Sequence, residues 1–144
     1  GIKIVAQHQL DAAKRLANTG RKVMVKDHPM YPISFEETPN LSRTSLSLLN
    51  HDALSAVVYS SGTSGLEARF AKLPAFRLIL EDRISIDVLP SWINNTATTE
   101  EDLAFLLSNS SKPDNLIWDK VLSPVDWKLW ETLLTEKISL QVAS

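Results

Sequence analysis

Short apolar runs alternate with helical patterns along most of this chain, and that order limits the folds it can adopt. Apolar runs at 2–5, 23–25, 56–59 and 75–80 are separated by segments whose apolar residues recur at helical spacing. Those helical segments lie at 9–18, 42–50 and 64–72, and another follows Thr98. Alternating strands and helices favour an α/β fold with a parallel sheet. We therefore predict a single Rossmann-like domain, with helices flanking the sheet.

Cap residues predict where several of these helices begin and end. Gly20 follows the first helical segment and is placed to end it as a C-cap. Ser64 with Glu67, and Thr98 with Glu101, have the spacing of a capping box, in which each side chain bonds the backbone N–H of the other residue. These pairs predict helix starts at Ser64 and just after Thr98.

The C-terminal stretch predicts one more helix beyond a polar connection at 109–116. Ser123 and Pro124 favour a helix start, with serine as N-cap, proline in the first turn and Asp126 near the positive end of the helix dipole. Trp127 and Trp130 follow within that helix. We expect residues 1–110 to form the Rossmann-like domain and residues 111–144 to form a linker and a packing helix.

Size, charge and residue content exclude several classes of protein. A chain of 144 residues with 44% hydrophobic residues suits one domain with one core. Its net charge of −2 predicts no binding to nucleic acid, and no apolar run approaches the ~20 residues of a membrane span. It has no cysteine, and its three histidines, His8, His28 and His51, lack metal-ligand spacing, so we expect no metal site. The first residues do not resemble a signal peptide, and the absence of cysteine is compatible with the cytoplasmic location that we expect.

The stretch SSGTSG, residues 60–65, lies between an apolar strand and a helix and has the chemistry of an anion site. The first N–H groups of a helix have no internal partners, and glycine lets a ligand approach the backbone. The hydroxyls of Ser60, Ser61, Thr63 and Ser64 can donate further hydrogen bonds. Ligands of open parallel sheets bind beyond the carboxyl ends of the strands, so phosphate is the expected ligand. A helix cap without any ligand explains the same residues equally well.

A second polar stretch, KDHP at residues 26–29, closes an earlier strand. In one parallel sheet it would reach the same edge as SSGTSG. His28 could donate to a phosphate oxygen, Lys26 could add positive charge, and Pro29 would hold the turn rigid. The histidine of a lone His-Pro pair more often forms hydrogen bonds with carbonyl groups of its own loop. The functional interpretation therefore depends on the two stretches occurring together.

In these motifs the sequence resembles the C-terminal, nucleotide-sugar-binding half of a GT-B glycosyltransferase. The resemblance runs over residues 21–107 and is carried by VMVKDHPMYP, by SLSLLNHDALSAVV and by SSGTSGLEARFAKLPAF. It is closest to bacterial enzymes with an HP motif and a serine-rich motif. These include sialyltransferases, polysialyltransferases and capsule Kdo transferases, which use CMP-activated acidic sugars.

The resemblance implies roles for individual residues. His28 and Pro29 match the HP motif, with His28 as the catalytic residue that contacts the donor phosphate. The serine-rich motif is matched by Ser60, Ser61, Gly62 and Thr63, followed by Ser64 and Gly65 at the helix start. Glu67 matches an acidic position and would hold the ribose or cap the helix. No metal or other cofactor is implied.

Complete enzymes of this group have two Rossmann-like domains, and 144 residues hold one. The expectation is a donor-binding half, inactive without an N-terminal acceptor-binding domain that supplies the general base. Trp127 and Trp130 would contact that domain or, as ordinary core residues, pack in this one. Peripheral membrane association of the full protein stays open. The alternatives are a UDP-sugar 2-epimerase-like domain and a non-catalytic module that binds a nucleotide or another anion.

Overall fold

The computed structural model describes residues 2–28, 30–45, 53–90, 95–113, 121 and 126–142. This part of the chain contains four helices and five strands. The helices are α1 (Ile2–Asn18), α2 (Ser64–Phe70), α3 (Glu100–Ser108) and α4 (Trp127–Val142). The strands are β1 (Val23–Val25), β2 (Leu41–Arg43), β3 (Val57–Tyr59), β4 (Ala75–Leu78) and β5 (Asn95–Ala97). The predicted elements at 56–59, 64–72 and 75–80 are confirmed to within two residues at each end.

Every strand pair in the described residues is parallel. β1 pairs with β2, with Val23 opposite Leu41, and β3, β4 and β5 form a second sheet in that order. The predicted α/β class, a Rossmann-like arrangement of parallel strands flanked by helices, is confirmed. The strands divide between two small sheets, however, where the sequence predicted one. As a result, β1 and β3 are not members of the same sheet.

The three-stranded sheet buries both of its faces, because successive side chains of a strand point in opposite directions. The face covered by α1 and α3 is built from Ala12, Phe76, Leu78, Ala97 and Leu103. The face covered by α2 is built from Tyr59, Ala68, Ala75 and Leu89. All four residues of β4 are buried, and Arg77 shares the α2 face with Ala75. A charged residue therefore lies inside the domain.

Helix α1 is longer than the sequence predicted and contacts both sheets. Ile2–Val5 was expected as a separate apolar run, but it forms the first turn of α1, because no helix-breaking residue separates it from the following segment. The helix contacts β1, β2 and α3. Gly20 ends it with a left-handed φ of 88°, and its N–H donates to the Ala17 carbonyl at 3.0 Å. The predicted C-cap at Gly20 is confirmed.

The helix predicted over 42–50 is wrong at its start, because Ser42 and Arg43 belong to β2. Residues 46–50 lie outside the described residues. Arg43 connects the preceding loop to the strand through three contacts. Its guanidinium pairs with the Asp27 carboxylate and donates to the Ile33 carbonyl at 2.9 Å. It also lies 4.5 Å from the ring centroid of Phe35. Pairing with β1 and these loop contacts prevail over the local helical pattern.

The start of α3 lies one residue later than predicted. The hydroxyl of Thr99 accepts a hydrogen bond from the Asp102 N–H at 3.1 Å, so Thr99 is the N-cap. The hydroxyl of Thr98 instead donates to Glu81 at 3.1 Å. The capping box of Thr98 with Glu101 is therefore wrong. Thr99 has the extended backbone, φ −117° and ψ 162°, that an N-cap residue needs.

Two neighbouring threonines provide a matched test of this cap. We expect Thr99→Ala to lower the free energy of unfolding by about 1 kcal/mol, because it leaves a first-turn N–H without its partner. Thr98→Ala should change that free energy by less than about 0.5 kcal/mol, since its partner Glu81 is at the surface. Urea unfolding followed by circular dichroism measures both. Equal losses would contradict the assignment.

Helix α4 begins at Trp127, and Asp126 caps it by accepting from the Leu129 N–H at 3.0 Å. The predicted start at Ser123 and Pro124 lies outside the described residues. The side chains of Trp127 and Trp130 are 75% and 54% exposed. The interpretation of these tryptophans as core residues of this domain is therefore wrong. Their exposure leaves an apolar surface on the first turns of α4.

Candidate functional site

Residues 60–63 connect the carboxyl end of β3 to the start of α2. Ser60 is buried, whereas Ser61, Gly62 and Thr63 are exposed. Gly62 adopts a φ of 84°, a left-handed conformation that favours glycine, and forms a parallel bridge with Asp87. The serine-rich stretch is therefore a tight turn at the sheet edge, and its outer side faces solvent.

The capping box predicted for Ser64 and Glu67 is wrong. Ser64 is the first residue of α2 and Thr63 is the N-cap, with a helical backbone of φ −84° and ψ −6°. N-cap residues usually have an extended backbone, which lets the side chain reach a first-turn N–H. Thr63 makes no such bond, and its hydroxyl donates to the Glu67 carboxylate at 2.9 Å. The first turn of α2 therefore receives no side-chain cap from Thr63.

Gly65 is needed because the helix start packs directly on β3. A Cβ atom at Gly65 would lie 2.7 Å from the hydroxyl oxygen of Tyr59, well inside van der Waals contact. Both residues are buried. The glycine thus allows the backbone of α2 to lie directly against the Tyr59 ring.

We expect Gly65→Ala to lower the free energy of unfolding by about 1–3 kcal/mol, because the added methyl group overpacks the contact with Tyr59. The matched control is Ser64→Ala, one residue earlier in the same helix, which adds no atom. Guanidinium unfolding of both variants measures the difference. A Gly65→Ala variant as stable as the natural sequence would contradict the close packing of α2 on Tyr59.

Arg77 lies beneath the turn and binds its backbone. Arg77 is only 8% exposed, and its Nε donates to the Ser60 carbonyl at 3.0 Å. Its Nη2 donates to the carbonyl and to the hydroxyl of Ser85, at 2.7 and 2.8 Å. The Ser85 hydroxyl in turn donates to the Ser60 carbonyl at 3.4 Å. One buried side chain of β4 therefore joins the turn after β3 to the 81–90 segment.

Asp87 supplies the counter-charge for Arg77 in this buried cluster. Its Oδ2 lies 3.7 Å from Arg77 Nε and accepts the Tyr59 hydroxyl at 2.8 Å, while its Oδ1 accepts the Leu89 N–H at 3.2 Å. Burial raises the pKa of Tyr59 far above its usual range, and the hydrogen bond to Asp87 and that carboxylate's charge raise it further. Tyr59 is thus a neutral hydrogen-bond donor at physiological pH.

His28 follows β1 and is exposed, and its ring contacts the loop residues that follow it. Its Nδ1 accepts the Met30 N–H at 3.2 Å, and its ring lies 5.5 Å from that of Tyr31 in a tilted arrangement. In the neutral imidazole, an accepting Nδ1 places the proton on Nε2. The N–H donor of His28 therefore lies on the side of the ring away from the Met30 nitrogen. Lys26 is also exposed, and Pro29 lies outside the described residues.

The two predicted halves of the site follow strands of different sheets. His28 comes after β1 in the two-stranded sheet, and the serine-rich turn comes after β3 in the three-stranded sheet. Within the described residues, no hydrogen bond or ion pair joins residues 26–31 to residues 60–67. The prediction that one sheet brings both motifs to the same edge is therefore wrong, because the described strands form two sheets.

The acidic residues of the 81–90 segment have internal partners or lie in solvent. The side chain of Asp87 is 7% exposed and belongs to the Arg77 cluster. Glu81 accepts the Thr98 hydroxyl, and Asp82 is 77% exposed beside Arg83. Asp27, which directly precedes His28, is paired with Arg43. None of these contacts favours a role for these carboxylates in binding a ligand.

Sequence reasoning missed Arg77, although the sequence contained a signal for it. The stretch AFRLIL places one arginine in an apolar strand, where a charged residue is buried only with a partner. Arg77 lies between the apolar residues Phe76 and Leu78. In the later segment, the polar residues Ser85 and Asp87 likewise alternate with apolar ones. A buried arginine paired with these two polar residues could have been proposed from that pattern.

In the described part of the chain, no group of three or more His, Asp or Glu residues is placed to hold a metal ion. No helix there is long and apolar enough to cross a membrane. Comparison with family models, with curated proteins and with solved structures found no match to this chain.

Proposed function

We propose that this chain is the donor-binding half of a GT-B-like glycosyltransferase, with a nucleotide-sugar, and specifically a CMP-sugar, as donor. The product would be a bacterial surface polysaccharide such as a capsule. The observation that carries the proposal is the exposed turn 61–63 at the carboxyl end of β3, in a domain of parallel strands flanked by helices. In such domains, ligands bind beyond that end of the strands.

The turn has donors suited to a phosphate group. Gly62 has no side chain to block the backbone, and Ser61 has an exposed hydroxyl beside it. Ser64 adds a hydroxyl at the start of α2, whereas the Thr63 hydroxyl is already directed to Glu67. Because α2 has only seven residues, the turn itself rather than the dipole of a long helix would bind the anion. We place Glu67 near the donor ribose.

His28 would provide the second contact with the donor phosphate. Its Nε2–H points away from the Met30 backbone and suits donation to a phosphate oxygen. In the proposed complex, the loop after β1 approaches the serine-rich turn, and Lys26 adds positive charge. The phosphate charge would then be shared by donors from both loops.

The reaction would be a direct displacement at the anomeric carbon. The acceptor oxygen forms the new bond to that carbon as the bond to the nucleotide phosphate oxygen breaks, and the acceptor proton passes to a base of the partner N-terminal domain. Negative charge grows on the leaving phosphate. His28 and the donors of the turn stabilise that charge in the manner of an oxyanion hole.

Helix α4 is proposed to contact the acceptor-binding domain. Its first turns expose Trp127, Leu129, Trp130 and Leu133, an apolar surface of the kind found at contacts between domains. This role assigns a partner to tryptophans that do not pack in the core. It predicts that the surface is covered in the complete enzyme.

The test is an amide NMR titration of the chain with CMP, UMP, UDP and inorganic phosphate. We expect CMP to shift the amides of 60–65 and those near His28, with about tenfold weaker binding for Ser61→Ala, as loss of a hydrogen bond to a charged group implies. Ser55→Ala is the matched control, because Ser55 is exposed ahead of β3, away from its carboxyl end. A preference for UDP would favour an epimerase-like domain. No shift at 60–65 with any probe would refute the donor site.

A further inference from the structure

We propose that Arg77 is a positioning residue that acts on an anion at the turn through the peptide group between Ser60 and Ser61. This inference rests on the proposed anion site and assigns it a buried partner. Arg77 does not touch the ligand. It binds the inner side of a peptide group whose outer side faces the ligand.

The geometry of that peptide group carries the inference. On its inner side, the Ser60 carbonyl accepts from Arg77 Nε at 3.0 Å and from the Ser85 hydroxyl at 3.4 Å. The described backbone contains no cis peptide bond. In a planar trans peptide the C=O and N–H bonds point in opposite directions. The N–H of Ser61 therefore points away from Arg77, toward the exposed side of the turn.

The two sides of one peptide group are electronically linked. Donors on the carbonyl oxygen polarise the amide and make its N–H a stronger donor, and an anion on the N–H makes the carbonyl a stronger acceptor. Hydrogen bonds from a charged donor such as a guanidinium are about twice as strong as those between neutral groups. Arg77 thus strengthens the Ser61 N–H toward an anion, and a bound anion strengthens the bond from Arg77.

The rest of the cluster holds the guanidinium in one orientation. Its Nη2 is held by the carbonyl and the hydroxyl of Ser85, and Asp87 lies 3.7 Å from its Nε. Asp87 is itself held by Tyr59 and by the Leu89 N–H. Arg77 therefore cannot turn outward to meet a ligand without breaking these bonds. Arg77 therefore acts on the turn through the peptide group between Ser60 and Ser61.

The primary test follows two N–H signals of the natural sequence by NMR as CMP is added, and again as inorganic phosphate is added. We expect the Ser61 amide and the Arg77 Nε–H to shift together, with one dissociation constant. A Ser61 shift without an Arg77 shift would overturn this inference and leave the anion site standing. No shift of either signal with either probe would overturn both.

A variant gives a second readout. Arg77→Lys keeps the positive charge but cannot hold Ser60 and Ser85 with a planar fork, so we expect CMP to bind about tenfold more weakly. Leu103→Val is the control, because it trims the core on the opposite face of the sheet. A folded Arg77→Lys chain that binds CMP as the natural sequence does would overturn the inference. If Arg77→Lys does not fold, the two-signal titration decides.

Discussion

Replacing Arg77 by methionine should lower the free energy of unfolding by about 3–5 kcal/mol, the largest stability effect we expect in this domain. The variant leaves the buried carboxylate of Asp87 without its counter-charge. It also removes the donors that satisfy the Ser60 carbonyl and the Ser85 backbone. Urea unfolding by fluorescence and circular dichroism measures the loss.

A double-mutant cycle separates the charge pair from simple loss of packing. Asp87→Asn alone should also be destabilising, since it strands the Arg77 charge, and the double variant should lose less stability than the sum of the two. Arg83→Met is the matched control, because Arg83 is exposed and its carboxylate partner is in solvent. Additive losses for Arg77 and Asp87 would contradict a coupled buried pair.

In the proposed transferase, His28→Ala should lower kcat by about 10²–10³-fold, since it removes one donor to the charge that develops on the leaving phosphate. His28→Gln is the informative comparison. A glutamine amide can present an N–H near the position of Nε2, so it should retain more activity than alanine. Initial rates of sugar transfer from the CMP-sugar measure both variants.

This activity loss should come without loss of stability. His28 is exposed, so His28→Ala should change the free energy of unfolding by less than about 0.5 kcal/mol. Tyr31→Leu is a control for loop packing, because it removes the ring that His28 contacts but keeps the histidine. Unchanged turnover in His28→Ala would refute the assigned role of the histidine.

The β3–α2–β4 unit could be predicted from sequence because its signals are local. The apolar run ending at Tyr59, the glycines and hydroxyls of 60–65 and the helical spacing from Leu66 each favour the same element. No long-range contact needs to be known to place them. The Gly20 C-cap is local in the same sense.

The division into two sheets and the short strands could not be predicted, because pairing with distant residues decides them. Only Ala97 of β5 is apolar and buried, so this strand has no periodic pattern to find. The strand at Leu41–Arg43 depends on β1 and on the loop contacts of Arg43. Sheet membership then decides which loops meet, and this is why the placement of His28 relative to the turn differs from the expectation.

The sequence also could not predict which residue caps each helix. Thr98 and Thr99 are adjacent and chemically identical, and only backbone geometry selects Thr99. At the start of α2, Ser64 lies inside the helix and so is not the N-cap that the Ser64–Glu67 spacing suggested, and Thr63, which is the N-cap, has a helical backbone and makes no capping bond. Sequence spacing predicts a helix start to within a residue or two, and the backbone decides which side chain caps it.

A crystal structure of this chain with CMP tests the proposed donor site most directly. We predict that the phosphate lies within about 3 Å of the Ser61 nitrogen and of His28 Nε2 in the same complex, so that the loop after β1 and the turn after β3 share one ligand. A phosphate bound away from residues 60–65 would contradict the site. So would the absence of bound CMP from crystals grown or soaked with millimolar CMP. A phosphate on the turn with His28 remote would contradict the role of the HP motif.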